Sequence, residues 1–181
     1  MPRLKEVIES APDTLKIEGR NRSEYYVGSV TRAYRNALDA YAAAPEHFDS
    51  QIFMDDLNVL ESRGYTTAFF DGPLPVDAHD YNSTHSVSNW HAAGVITNVN
   101  QDNIIFELRN EIKAGDEIKF ILPNINDKIS IVIDRVINAK TGIELPKMSA
   151  GQSNSLIIPM SKIPEQYRDK MVPFILAYKH K

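Results

Sequence analysis

The chain has 181 residues, 43% hydrophobic and 24% charged, a composition that suits one globular domain or two small ones and argues against disorder. Its formal net charge of −4 argues against binding a polyanion over the whole surface, although residues 1–35 hold a small local excess of Lys and Arg. The absence of Cys excludes disulfides, thiolate zinc sites and a cysteine-ligated iron–sulfur cluster within the chain, and the lack of a long apolar run or signal-peptide pattern leads to the expectation of no membrane contact and a cytoplasmic address.

Residues 1–10 read as a short helix with Leu4, Val7 and Ile8 on one face, stopped by Pro12. Leu15, Lys16 and Ile17 read as a short strand that Gly19 breaks. Asn21 followed by Glu24 approximates a capping box, and Tyr26, Val30, Ala33, Tyr34, Ala37 and Tyr41 recur at helical spacing. The opposite face carries Arg32, Arg35 and Asp39. Pro45 closes this helix, and Asp49 or Ser50 caps a second, with Ile52, Phe53, Leu57 and Leu60 inward and Gly64 as its left-handed cap, giving a helical hairpin. Residues 73–89, rich in Pro, Asp, Asn and Ser, show no period and read as a linker loop.

From Trp90 onward the period changes to two, in Ile104-Phe106-Leu108, Ile118-Phe120-Leu122 and Ile129-Ile131-Ile133, with turn signals at 100–103, 114–116, 124–127 and 140–142. Later strands are expected near Leu156–Pro159 and Pro173–Tyr178. Six short strands at this spacing predict a small closed antiparallel β-barrel over residues 90–181, resembling in fold the barrel that follows the nucleotide-binding domain in translation factors. The fold class is therefore α+β. Few aromatics fall outside the apolar alternation, so the stacking platform of a single-strand binder is not visible in the sequence.

The charged residues Lys16, Glu18 and Arg20 alternate along the expected strand and cannot be buried without partners. In the functional reading Glu18 is the catalytic candidate, positioning a substrate or moving a proton, while Lys16 and Arg20 hold an anionic group. Tyr25, Arg32 and Arg35 are further substrate-binding candidates. The structural alternative is an ion-pair network, with Tyr26 and Tyr34 in the core and Arg32 and Arg35 on a solvated face. Asp77, His79, Asp80, His85 and His91 match no metal-ligand spacing, so no metal is expected. There is no G-x-S-x-G elbow and no phosphate-binding glycine loop.

The residues L-K-I-E-G-R at 15–20, Ser23, Tyr25-Tyr26 and Ala33-Tyr34-Arg35, followed by R-G-Y-T-T-A-F-F-D-G at 63–72 and N-E-I-K-A-G-D-E-I at 110–118, together resemble the U32 peptidase family of collagenase-like proteases. The branch most resembled is the one implicated in tRNA wobble-uridine hydroxylation. The resemblance implies that residues 1–72 are the carboxyl-terminal part of a barrel-type catalytic domain, a TIM-barrel-like βα segment with its helical hairpin. The family's cysteine motif lies upstream of this segment and has no counterpart here. The chain thus reads as a carboxyl-terminal fragment, with the missing amino-terminal half as partner and tRNA as a further partner. Members of the tRNA branch are implied to carry an iron–sulfur cluster on those upstream cysteines; no cofactor is expected in this chain, which is expected to be inactive alone.

Two function classes stay open: part of a U32-type enzyme needed for 5-hydroxyuridine formation in tRNA, or a non-catalytic RNA- or protein-binding barrel module. An unpaired strand and uncovered helix faces lead to one more expectation. Region 1–72 should pair with a second copy, as a homodimer, or remain poorly ordered.

Overall fold

A computed structural model describes residues 1–60, 62, 65–73, 88–151 and 154–181. The chain forms two compact units, Met1–Asn89 and Trp90–Lys181, each described here by itself.

The first unit is helical. Helix α1 (Leu4–Glu9) buries Leu4, and helix α2 (Glu24–Ala43) buries Tyr25, Ser29, Val30, Ala33 and Ala37. The helix start differs from the expected capping box. Ser23, in extended conformation, accepts the N–H of Tyr26 at 3.2 Å, because a cap must sit one residue outside the first turn to reach that donor. Asn21 lies too early. Two residues separate the expected cap from the observed one, and in the helix that forms Tyr25 lies in the core and Tyr26 is partly exposed, the reverse of the order the apolar stripe suggested.

After α2 the chain makes two 3-10 turns, Pro45–His47 and Ser50–Phe53, before helix α3 (Met54–Asn58). Asp49 caps the second turn by accepting the N–H of Gln51 at 2.8 Å. The expected second helix is therefore split. At three residues per turn Phe53 swings inward, where it stacks on Phe48 at 6.1 Å, and Ile52 swings out to 60% exposure. Phe53, Leu57 and Leu60 are buried as expected. Gly64, the loop 74–87 and four of the five residues considered as metal ligands, Asp77, His79, Asp80 and His85, lie outside the described residues.

Leu15–Gly19 is a correction of greater weight: among the described residues it belongs to no β-ladder. Alternation favours an extended chain, but a strand exists only where a neighbour takes its backbone bonds.

The second unit is a sheet. Strands β1 (Trp90–Val99), β2 (Asn103–Leu108), β3 (Ile112–Lys113), β4 (Glu117–Ile121), β5 (Lys128–Val132), β6 (Val136–Ile137), β7 (Glu144–Leu145), β8 (Lys147–Met148) and β9 (Ser155–Pro159) are followed by helix α4 (Glu165–Arg168) and strand β10 (Leu176–His180). Six of them form one antiparallel sheet in the order β5-β4-β10-β1-β2-β9, and two small ladders, β3-β8 and β6-β7, complete the unit. Among the described residues β5 and β9 are edges that do not pair with each other, so the sheet is a curled half-barrel and not the closed barrel expected. Two register shifts in β1, between Ala92 and Gly94 and between Ile96 and Asn98, supply local curvature.

The concave side is filled by the alternating apolar residues, with Ile96, Ile104, Phe106, Ile118, Leu156 and Ile158 at 2% exposure or less. Burying each such side chain contributes about 1.5–3 kcal/mol against conformational entropy. Gly94 is required here, since a Cβ on it would stand 2.2 Å from the Glu107 carbonyl oxygen and 2.6 Å from the Phe106 ring. The turn expected at 114–116 is present, with Gly115 at φ +92°.

Candidate functional site

The Leu15–Gly19 segment runs beside the start of α2. Gly19 is the contact point: a Cβ there would lie 2.6 Å from the Val27 side chain. Its carbonyl accepts the N–H of Arg22 at 3.0 Å, closing a turn that places Ser23 to cap α2, and the Arg22 guanidinium lies over the Tyr26 ring at 5.1 Å. Lys16 Nζ is 3.5 Å from a Glu18 carboxylate oxygen, and the other Glu18 oxygen accepts the Arg20 backbone N–H at 3.0 Å. The Lys16 and Glu18 side chains are 84% and 68% exposed, so their pairing contributes less than about 1 kcal/mol. The geometry leaves both groups available to a ligand or partner.

The other candidates are held by different groups. Arg32 reaches from α2 to Asp56 on α3 at 2.7 Å, with both side chains largely buried, so it ties the two helices together. Arg35 pairs with Asp39 one turn along the exposed face, as the i,i+4 spacing suggested, for about 0.2–0.5 kcal/mol. Tyr25 is 6% exposed. Thus Lys16, Glu18 and the backbone of Arg20 come together, while Tyr25, Arg32 and Arg35 are placed in packing and ion pairs of the helical unit.

Two features of this unit were not singled out from the sequence. Arg3 forms an ion pair with Asp71 at 2.6 Å and lies 6.0 Å over the Phe70 ring, binding the start of α1 to the segment after residue 65. Asp71 titrates below the usual aspartate range, chiefly through a hydrogen bond from Thr67 and then through Arg3. Beside this polar clasp the unit exposes Leu15, Ile17, Ile52, Phe69 and Phe70, with Phe69 at 74%.

In the sheet unit, Lys179 of β10 pairs with Asp116 at 2.5 Å, the two side chains only 11% and 12% exposed. Lys147 holds Glu111 at 2.9 Å, and the Ser149 hydroxyl adds a hydrogen bond to the same carboxylate. Trp90 meets the rings of Tyr178 and His180 edge-on at 5.3 and 5.1 Å, with Lys119 Nζ 4.7 Å above its ring. This cluster was not visible in the sequence: Lys119 and Tyr178 sit on the outward phase of their strands, and only the register reveals that they are neighbours of Trp90. A groove of about 100 Å³ at the open side is lined by Ile131, Ile133, Ile137 and Ile157, with the Asp134–Lys162 ion pair at its rim.

Among the described residues no group of three or more His, Asp or Glu could hold a metal, and the sequence contains no Cys, so these residues do not fit an iron–sulfur cluster. No helix among them is long and apolar enough to cross a membrane.

Residues 1–80 match the family model described as Peptidase family U32. The chain is similar to tRNA hydroxylation protein P1 of Bacillus subtilis (strain 168), 33% identical over 127 residues that cover 68% of this chain and 30% of that protein. It is also similar to tRNA hydroxylation protein P of Escherichia coli (strain K12), 30% identical over 149 residues, 81% of this chain and 32% of that protein. These alignments are longer than the whole first unit, so the likeness continues into the sheet and does not favour a free-standing binding module. A crystal structure described as the C-terminal domain of a Geobacillus thermoleovorans U32 peptidase is similar at 20% identity and a TM-score of 0.39, covering 49% of this chain and 91% of that one. The chain spans about 30% of the length of the curated relatives it matches.

Proposed function

Residues 1–80 place this chain in peptidase family U32, and from that premise we propose that it works as the carboxyl-terminal part of a tRNA hydroxylation protein, needed for 5-hydroxyuridine formation in tRNA. The observation that carries this reading is the unladdered segment Leu15–Gly19, with Leu15, Ile17, Phe69 and Phe70 exposed in a chain whose match spans about 30% of the length of its relatives. A polypeptide corresponding to the missing amino-terminal portion would supply the neighbouring strand and cover these side chains.

In this reading residues 1–72 complete a TIM-like α/β barrel, 73–89 form a linker, and 90–181 form a β-barrel-type domain like that of translation factors. Lys16 and Arg20 hold an anionic group of the substrate and Glu18 orients it or accepts a proton, all three facing a site finished by the upstream part. Arg35 stands on the exposed face of α2 as a secondary contact, while Tyr25 and Arg32 act through packing, by setting the position of α2. Any iron–sulfur cluster would be ligated by upstream cysteines, since this chain has none.

The test is a hybrid protein in which this chain replaces the corresponding carboxyl-terminal part of the Bacillus subtilis relative, expressed in cells lacking their own hydroxylation protein. Mass spectrometry of digested tRNA should show 5-hydroxyuridine restored, and Lys16→Met, Glu18→Gln and Arg20→Met should each lower it without lowering the amount of soluble hybrid. A well-expressed hybrid that restores nothing would refute the reading.

A further inference from the structure

We propose that the outer face of the half-barrel around Trp90 is an RNA-contact surface, taking one phosphate on Lys119, a second on Lys128 and an unstacked base against the aromatic cluster. The inference rests on the tRNA reading above and adds to it where the RNA is held.

The register brings these residues together. Trp90 pairs with His180, Ala92 with Tyr178, Tyr178 with Lys119, and Lys119 with Ser130, so Trp90, His180, Tyr178, Lys119 and Ser130 share one face across β1, β10, β4 and β5. Lys128, two residues from Ser130, belongs to the same face. The neighbours Ile118, Phe120, Ile129 and Ile131 point the other way and are buried. Lys128 and His180 are exposed, and Trp90, Lys119 and Tyr178 partly so.

Lys147, Lys162, Lys170 and Lys179 each sit on a carboxylate. Among the described residues Lys119 and Lys128 make no ion pair, and Lys119 instead lies over the indole of Trp90. Among the described lysines of the unit, Lys113 and Lys140 also make no ion pair, and Lys119 is the one that combines this with a ring contact. Glu117 is the acidic residue on the same phase of β4. In a chain of net charge −4, a cation kept beside an aromatic ring, with a second exposed lysine on the same face, suits a ligand that carries both negative charge and flat π surfaces. RNA with unstacked bases is such a ligand, whereas a paired stem would offer only its backbone to rings of this kind.

Trp90 is the only tryptophan in the chain, so its emission reports the site directly. The full chain is titrated with a single-stranded RNA of about twelve nucleotides, within the usual site size of such surfaces, and with unfractionated tRNA, while labelled RNA reports binding independently by anisotropy. Both RNAs should quench Trp90. The double variant K119Q/K128Q, whose changes lie on the exposed face, should raise the half-saturating RNA concentration about tenfold and reduce the salt slope by about 1.4, or roughly 0.7 per lost phosphate contact.

RNA that binds without changing Trp90 emission, with affinity untouched by K119Q/K128Q, places the site elsewhere and overturns the inference while the tRNA reading stands. Absence of RNA binding by the chain also overturns it, and the reading itself is then judged by 5-hydroxyuridine in the hybrid. Equal quenching by polyglutamate, relieved by the same variant, assigns the face to an acidic protein and overturns it as well.

Discussion

Replacing Lys179 by Met should destabilise the sheet unit far more than any other loss of a lysine or arginine ion pair there. Lys179 Nζ stands 2.5 Å from Asp116, with side chains 11% and 12% exposed, and the same Asp116 oxygen accepts the Lys113 N–H at 3.1 Å. The pair joins β10 to the turn before β4, residues 63 apart in sequence. Removing the cation leaves a carboxylate with one backbone donor in a nearly dry position. Breaking a buried pair on one side costs about 3–5 kcal/mol, and the residual exposure argues for the lower end, about 3 kcal/mol. Arg135–Glu144, at 64% and 49% exposure, is the internal control, a solvent-exposed pair whose loss should matter little. With a urea m-value of about 1–1.5 kcal/mol/M, Lys179→Met should lower the midpoint by about 2–3 M and Arg135→Met by less than about 1 M. Trp90 emission follows unfolding of this unit. The double variant D116L/K179M should recover much of the loss, because an apolar pair has no charge to strand. Equal midpoint shifts for Lys179→Met and Arg135→Met would show that water reaches Asp116 and that the burial argument is wrong.

Gly94→Ala should cost more than Gly115→Ala although Gly115 has the unusual backbone: the first pushes a Cβ against the Glu107 carbonyl, for about 1–3 kcal/mol or more, while the second meets no atom within 4 Å and incurs only left-handed strain of about 1–2 kcal/mol. Urea midpoints in the reverse order would mean that β1 shifts to make room. Glu111, held down chiefly by its hydrogen bond from Lys147, and Glu144, held down chiefly by Arg135, both titrate below the ordinary glutamate value. Their folded-state pKa values are depressed, so their contribution is present above the unfolded value of about 4.3 and is lost as pH falls through the folded value. The melting temperature should therefore drop on acidification below about pH 4.3, and E111Q/E144Q should flatten that drop; an unchanged profile would assign the acid sensitivity to other groups.

Legibility differed between the two units for a physical reason. In the sheet, each strand carries its instruction locally: Ile104-Phe106-Leu108 and Ile118-Phe120 alternate because one face is buried, and their strands and turns were readable from that period alone. The order β5-β4-β10-β1-β2-β9 was not readable, since period two says which way a residue points and nothing about its neighbour. The Trp90 cluster was lost for the same cause. Its members come from strands nearly 90 residues apart in sequence, and each by itself looks like an ordinary outward-facing residue.

The Leu15–Gly19 segment shows the opposite failure, and it is the more informative one. Its alternation, its glycine and the cap at Ser23 are all present, and the turn from Gly19 to Arg22 forms, yet no ladder does. Local chemistry can fix a turn and a helix start because the bonds involved span three residues. A ladder needs a second strand, and alternation within one segment does not specify its partner. Leu15 and Ile17 are partly covered, although among the described residues no strand pairs with the segment. Where pattern and structure disagree in this way, the alternation is still visible in exposure, with Leu15 and Ile17 at 42% and 38% and the side chains of Lys16 and Glu18 at 84% and 68%.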